Sequence, residues 1–201
     1  GGCATPTCSI DAVVSPAASN QPVLISGTYD SRDITINQGA TLTLAAGAVL
    51  NVCGNFYNYG SIVADPTSTI AFTGTGTQNI YGSLVGADKF GNVLISKSAG
   101  TVILNAGMEI AGDFTLQNNT GIFNVNGQYL KLAGNFLNAA GTTTFTGVSG
   151  STIEFNGIAD QLYSPGGSLT LNDVFINQGV PAAIVLTGNS MTISGSLTLT
   201  S

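Results

Sequence analysis

The chain has no histidine, no tryptophan, two methionines, three cysteines and only four cations in 201 residues. Each shortage removes a class of chemistry. Without histidine, the side chain that most readily moves protons near neutral pH is missing, and so is the usual base that activates a serine or cysteine nucleophile. Only 7% of residues are charged, against roughly 25% in ordinary soluble domains. Arg32, Lys89, Lys97 and Lys131 are widely spaced in a chain of net charge −6. They cannot neutralise a run of phosphates, the term that dominates nucleic-acid affinity, so no nucleic-acid partner is expected. The longest apolar stretches, such as Ala45 to Val52, fall far short of the about 20 residues that cross a bilayer, and no membrane insertion is expected. The start, Gly-Gly-Cys-Ala-Thr-Pro, lacks a basic segment followed by an apolar run; any export signal is expected to have been removed or to lie elsewhere.

What is present is apolar and small. Hydrophobic residues make up 43%, alongside 27 Gly, 24 Thr and 18 each of Ser and Asn. Apolar residues recur as triplets with a polar or small centre: Ile34-Thr35-Ile36, Leu42-Thr43-Leu44, Leu50-Asn51-Val52, Ile70-Ala71-Phe72, Ile153-Glu154-Phe155, Leu169-Thr170-Leu171 and Leu197-Thr198-Leu199. A period of two predicts half-buried strands. Between them lie Gly, Asn and Asp, which end strands and accept positive φ.

Two repeats are superimposed on this pattern. A motif of apolar triplet, small residue or Cys, Gly, any residue, then Phe or Leu occurs four times: at Leu50–Phe56, Met108–Phe114, Leu130–Phe136 and Met191–Leu197. The gaps between its glycines, 58, 22 and 61 residues, are read as three, one and three multiples of about 20, the size of one solenoid coil. A longer repeat matches Ile70-Ala71-Phe72-Thr73-Gly74 and Gln78 to Ile153-Glu154-Phe155-Asn156-Gly157 and Gln161, at an offset of 80 to 83 residues. Units that cannot bury an apolar face alone must stack. The predicted fold is all-β, a right-handed parallel β-helix of about eight coils, with residues 32–201 forming the repeats (about 54–133 and 134–201). Residues 1–31, without the motif, are expected to be a cap or linker. The central residues of the triplets, including Ala71, Glu109, Lys131 and Glu154, are expected to point outward, and corner asparagines to stack as ladders. The end of the sequence inside the pattern is expected to mark a segment of a longer protein.

Segments such as Ser68 to Ile80 and Gly195-Ser196-Leu197-Thr198-Leu199 resemble the repetitive regions of very large Bacteroidota surface proteins, including the gliding-motility adhesins exported by the type IX secretion system. The resemblance spans about residues 34–201 and implies an extracellular filament or adhesin segment, with export and anchoring signals elsewhere in the full chain. It does not account for the cysteines. Cys3 and Cys8 frame a short stretch containing Pro6 and are read as a disulfide pair in an oxidising compartment, the alternatives being free thiols or a pairing with Cys53. Three Cys without His make a poor zinc set, and no metal or cofactor is expected.

Candidate acid pairs for glycoside hydrolysis are Glu109 with Asp113 and Glu154 with Asp160 or Asp173. On adjacent coils, however, Glu109 and Lys131 would form an ordinary surface ion pair. The chain is therefore expected not to be an enzyme. Tyr57, Tyr59 and Tyr81 are candidate surface contacts for sugars, because exposed rings stack on sugar faces. The sequence reading is a secreted, non-catalytic structural or adhesive segment whose partners are neighbouring domains of the same chain and surface polysaccharide. The alternative is a carbohydrate-binding or carbohydrate-cleaving domain. Ice binding by threonine arrays at Thr41–Thr43, Thr73–Thr77, Thr142–Thr144 and Thr198–Thr200 ranks behind both, because their spacing is irregular.

Overall fold

A computed structural model describes residues 6–117, 120–141, 144–147 and 149–200. The chain winds as a column with three faces, to each of which a complete turn contributes one short strand except at a single interruption. The first turn holds β1 (Ala12–Val14), β2 (Val23–Leu24) and β3 (Gly27–Ser31). The second holds β4 (Ile34–Ile36), β5 (Thr41–Leu44) and β6 (Ala48–Val52), and the third β7 (Phe56–Asn58), β8 (Ser61–Ala64) and β9 (Thr69–Phe72). The fourth has β10 (Gln78–Gly82) and β11 (Asn92–Ile95), with a short 3₁₀ turn at Gly86–Asp88 between them. Then follow β12 (Thr101–Leu104), β13 (Met108–Ile110) and β14 (Phe114–Leu116); β15 (Ile122–Asn124), β16 (Tyr129–Leu132) and β17 (Phe136–Asn138); β18 (Phe145–Thr146), β19 (Thr152–Phe155) and β20 (Gln161–Ser164). The eighth turn has β21 (Leu169–Leu171), β22 (Asp173–Ile176) and β23 (Ile184–Leu186), and β24 (Met191–Ile193) and β25 (Leu197–Leu199) begin a ninth.

All pairings between these strands are parallel and join a turn to the one above or below it. Face 1 stacks β1-β4-β7-β10-β12-β15-β18, and β21 and β24 take its place in the last turns. Face 2 is β2-β5-β8, interrupted at the 3₁₀ turn and resumed as β13-β16-β19-β22-β25. Face 3 runs unbroken from β3 to β23 in eight strands. At the interruption, Asp88 Oδ1 accepts the Ile62 N–H at 3.0 Å, so a side chain replaces the missing strand. The expected all-β solenoid of about eight turns is the observed architecture. Residues 12–31, expected as a cap or linker, are instead its first turn, with β1 registered on β4 and β3 on β6. The repeat motif does not extend to them because β3, Gly-Thr-Tyr-Asp-Ser, has no apolar triplet.

The column interior is filled by the inward residues of the triplets. Phe56, Phe72, Phe90, Phe114, Phe123, Phe136 and Phe155 are fully buried. Parallel register puts Phe114 below Phe136 and Phe136 below Tyr163, giving an aromatic column with ring centroids 5.6 and 5.3 Å apart. Each such ring withdraws enough apolar surface to be worth about 1.5–3 kcal/mol. Two centres expected to point into solvent are covered. Ala71 is small and flanked by Asn51 and Leu94. Glu154 is only 3% exposed, registered between Lys131 and Phe175.

The repeat arithmetic also changes. Rungs of face 1 are 22 residues apart (Ala12, Ile34, Phe56), so an offset of 80–83 is about three and two-thirds turns rather than a whole number. Ile70 lies on face 3 and its counterpart Ile153 on face 2; Gln78 lies on face 1 and Gln161 on face 3. The four-copy motif likewise advances by about two and two-thirds turns, one turn, and two and two-thirds turns. The physical reason is the near equivalence of the three corners: a strand-Gly-strand bend fits any of them, so the sequence repeats by thirds of a turn.

Candidate functional site

The three tyrosines singled out from the sequence come together. In β7 Phe56 and Asn58 point inward, which sends Tyr57 out; in β10 Ile80 points inward, which sends Tyr81 out. Register places Tyr57 directly beside Tyr81, above Thr35 and Val13. Parallel strands lie about 4.8 Å apart, and the rings stack with centroids 5.4 Å apart and planes parallel. Tyr59, at the corner after β7 and 57% exposed, packs against Tyr57 at 6.2 Å and 23°. The result is a flat aromatic strip on face 1. Burial raises the Tyr57 phenol, helped by the Asp33 carboxylate and the neighbouring Tyr81 and Tyr59. The Tyr57 hydroxyl therefore stays protonated at neutral pH, able both to donate and to accept.

Beside the strip runs the expected amide ladder. Asp33 Oδ1 accepts the Asn55 N–H at 2.8 Å, and Asn55 Oδ1 accepts Asn79 N–H at 2.8 Å and Asn79 Nδ2–H at 3.3 Å. Asn79 Oδ1 accepts from Asn105 Nδ2 at 3.1 Å, and Asn105 Oδ1 from Asn126 Nδ2 at 3.4 Å. Each bond ties one turn to the next, and those of Asp33, Asn55 and Asn79 lie immediately ahead of Tyr57 and Tyr81.

The candidate acids serve corners rather than a common cleft. Asp113 Oδ1 accepts both N–H groups of Asn135, backbone at 2.8 Å and side chain at 2.9 Å. Asp160 accepts the Ala183 N–H at 2.9 Å. Asp173 accepts Ser196 N–H and Oγ–H at 2.7 and 2.8 Å and Asn172 Nδ2–H at 2.7 Å. The bonds from Ser196, its backbone N–H first, hold the Asp173 carboxyl below its usual range. Glu109 and Glu154 do share a face, one rung either side of Lys131, at 3.6 and 4.0 Å from its ammonium. Glu109 also accepts the Gly86 N–H at 2.8 Å and Glu154 the Asn177 amide at 3.0 Å. The lysine fills the space between the two carboxylates.

The cysteine expectation is corrected. Cys8 is bonded to Cys53, with Cα atoms 5.3 Å apart, and not to Cys3, which lies outside the described residues. The first turn brings Cys8 beside the corner after β6, a juxtaposition that a separation of 45 positions hides from the sequence. The threonines are dispersed: Thr41 and Thr43 on face 2, Thr73–Thr77 around a corner, Thr170 and Thr192 on face 1, Thr198 on face 2; Thr142 and Thr143 lie outside the described residues. No group of three or more metal-ligating side chains forms among the described residues, and no helix among them is long and apolar enough to cross a membrane.

Lys97, one of the four dispersed cations, is interior. It is fully buried, and its ammonium donates to Gly74 O, to Gly76 O at 2.9 Å and to Gln78 Oε1 at 2.6 Å. The offset of 81 that aligns Val93 with Val174 sets Lys97 against Gln178, whose amide donates to Gln161 Oε1 at 3.0 Å, the same role one repeat later. That alignment was the available signal.

Comparisons with protein-family models, with curated proteins and with solved structures return no match to this chain.

Proposed function

We propose that this chain is a non-catalytic, extracellular structural segment of a larger cell-surface protein, a stiff spacer that carries an adhesive aromatic strip. The observation that carries this reading is the unbroken ladder of face 3, in which eight successive turns are hydrogen-bonded together while the carboxylates are spent on corners and on Lys131. The winding is read as right-handed, the hand that parallel crossovers almost always take. The Cys8–Cys53 bond supports an oxidising compartment such as the cell exterior. The resemblance to Bacteroidota gliding-motility adhesins extends the reading to export by type IX secretion. Neighbouring domains of the same chain are the proposed partners at the end of the column where Leu186, Leu197 and Leu199 are exposed.

The stacked Tyr57, Tyr59 and Tyr81 favour a second reading within the first, contact with surface polysaccharide. Incubation with a polysaccharide panel, scoring both reducing ends and retention, tests both. The expected result is retention without release of reducing ends, weakened about tenfold when Tyr57 and Tyr81 are both changed to Ala, at about 1.4 kcal/mol per factor of ten. Release of reducing ends would replace the spacer reading with an enzyme.

A further inference from the structure

A second aromatic pair stands on face 2, well away from the tyrosine strip. Tyr129 opens β16, and register runs from Tyr129 to Thr152 to Asp173 along one column. In the adjacent outward column Phe175 is registered on Glu154 and Thr198 on Phe175. Both rings line an open groove of about 410 Å³, together with Thr152, Asp173, Ser196 and Thr198. The rung between the two rings carries Thr152 in the Tyr129 column, and the rung beyond Phe175 carries Ser196 and Thr198, so small hydroxyl side chains leave the groove open on both sides of Phe175.

Its chemistry is specific. Among the described residues, the side-chain hydroxyls of Tyr129, Thr152 and Thr198 take part in no hydrogen bond, although each points from an outward position. An ionised carboxylate offers about four acceptor positions. Ser196 and Asn172 occupy three on Asp173, leaving one for a ligand hydroxyl. The nearby cation, Lys131, is held by Glu109 and Glu154 and does not offset the negative charge of Asp173. Aromatic walls with unengaged hydroxyls and one acceptor fit a ring that is apolar on its faces and rich in hydroxyls at its edge. A fixed negative charge in a chain of net charge −6 repels anionic ligands.

We propose that the Tyr129–Phe175 groove is a binding subsite for neutral polysaccharide, distinct from the Tyr57–Tyr59–Tyr81 strip and selective against uronate or sulfated chains. It deepens the adhesive reading above and rests on it. The test is binding of cellohexaose, a dextran oligosaccharide and oligoalginate, by calorimetry, to the whole chain and to four variants with unchanged thermal unfolding. In a variant lacking the strip (Tyr57, Tyr59 and Tyr81 all to Ala), a neutral oligosaccharide still binds and oligoalginate does not. Tyr129→Ala or Phe175→Ala, added to that variant, weakens this binding about three- to tenfold. Asp173→Asn narrows the discrimination against oligoalginate. Loss of all binding in the strip variant, binding unchanged by Tyr129→Ala and Phe175→Ala, or preference for oligoalginate would each overturn the subsite while leaving the strip standing. Absence of glycan binding by the unaltered chain would overturn the adhesive reading as well.

Discussion

Lys97 is the residue on which the physics is most exposed. Burying an ammonium is costly, and here no carboxylate repays it; three oxygens from the adjacent turn accept its hydrogen bonds. Burial pulls the group down from 10.5 to about 8. Between those values the unfolded chain binds more protons than the folded one, so stability rises as pH climbs through this window and gains nothing from it below 8. Urea unfolding of wild type and Lys97→Gln at pH 7 and pH 10 checks this: the wild type gains stability relative to the variant on going to pH 10, and an equal shift in both would contradict it. Glutamine is the appropriate replacement because Gln178 fills the corresponding place one repeat later. Lys97→Met costs about 1–3 kcal/mol for each acceptor it strands. A lone lysine in a sequence reads as surface; only the closing of one turn over the next reveals it as interior. The outward tyrosines, by contrast, were legible, because alternation in β7 and β10 settles their direction before any tertiary contact forms.

At the scale of elements, the strands are ordinary and the corners are exacting. Successive turns approach so closely at the Gly112–Gly134 corner that a side chain on Gly134 would overlap the carbonyl oxygen of Gly112. Gly134→Ala is therefore expected to cost about 1–3 kcal/mol by overpacking against backbone. Gly76, with nothing within 4 Å of an added methyl, should accept Ala with no loss, or gain up to about 1 kcal/mol through the unfolded state. Thermal unfolding of the two single variants measures the difference; equal melting temperatures would show that the corner is looser than its geometry. The repeating motif marks Gly134 as a corner residue without revealing which atoms lie across it. The asparagine ladder was foreseeable from composition and spacing. The dispersal of similar motifs over different faces was not, because a period of 80–83 residues becomes a rotation only once the 22-residue turn is known.

For the whole molecule, the covalent tie and the column act on different states. The Cys8–Cys53 bond closes 45 residues across the first turns, and its loss is expected to cost about 2–4 kcal/mol. Urea unfolding of Cys53→Ser should match wild type in reductant; a reductant that leaves the wild-type midpoint unmoved would show that the tie contributes nothing. The local code of the chain, period-two alternation broken by Gly, Asn and Asp, was sufficient for strands, for stacking and for about eight turns, since each of these depends on near neighbours along the chain. Which cysteine meets Cys8, which acids are spent on corners, where Lys97 is buried and which side chains line one groove with Tyr129 were decided by the tertiary structure alone. Those contacts join residues about 20 to 50 positions apart, and their partners are set by how many residues each turn consumes, a quantity that belongs to the closed column and not to any stretch of sequence.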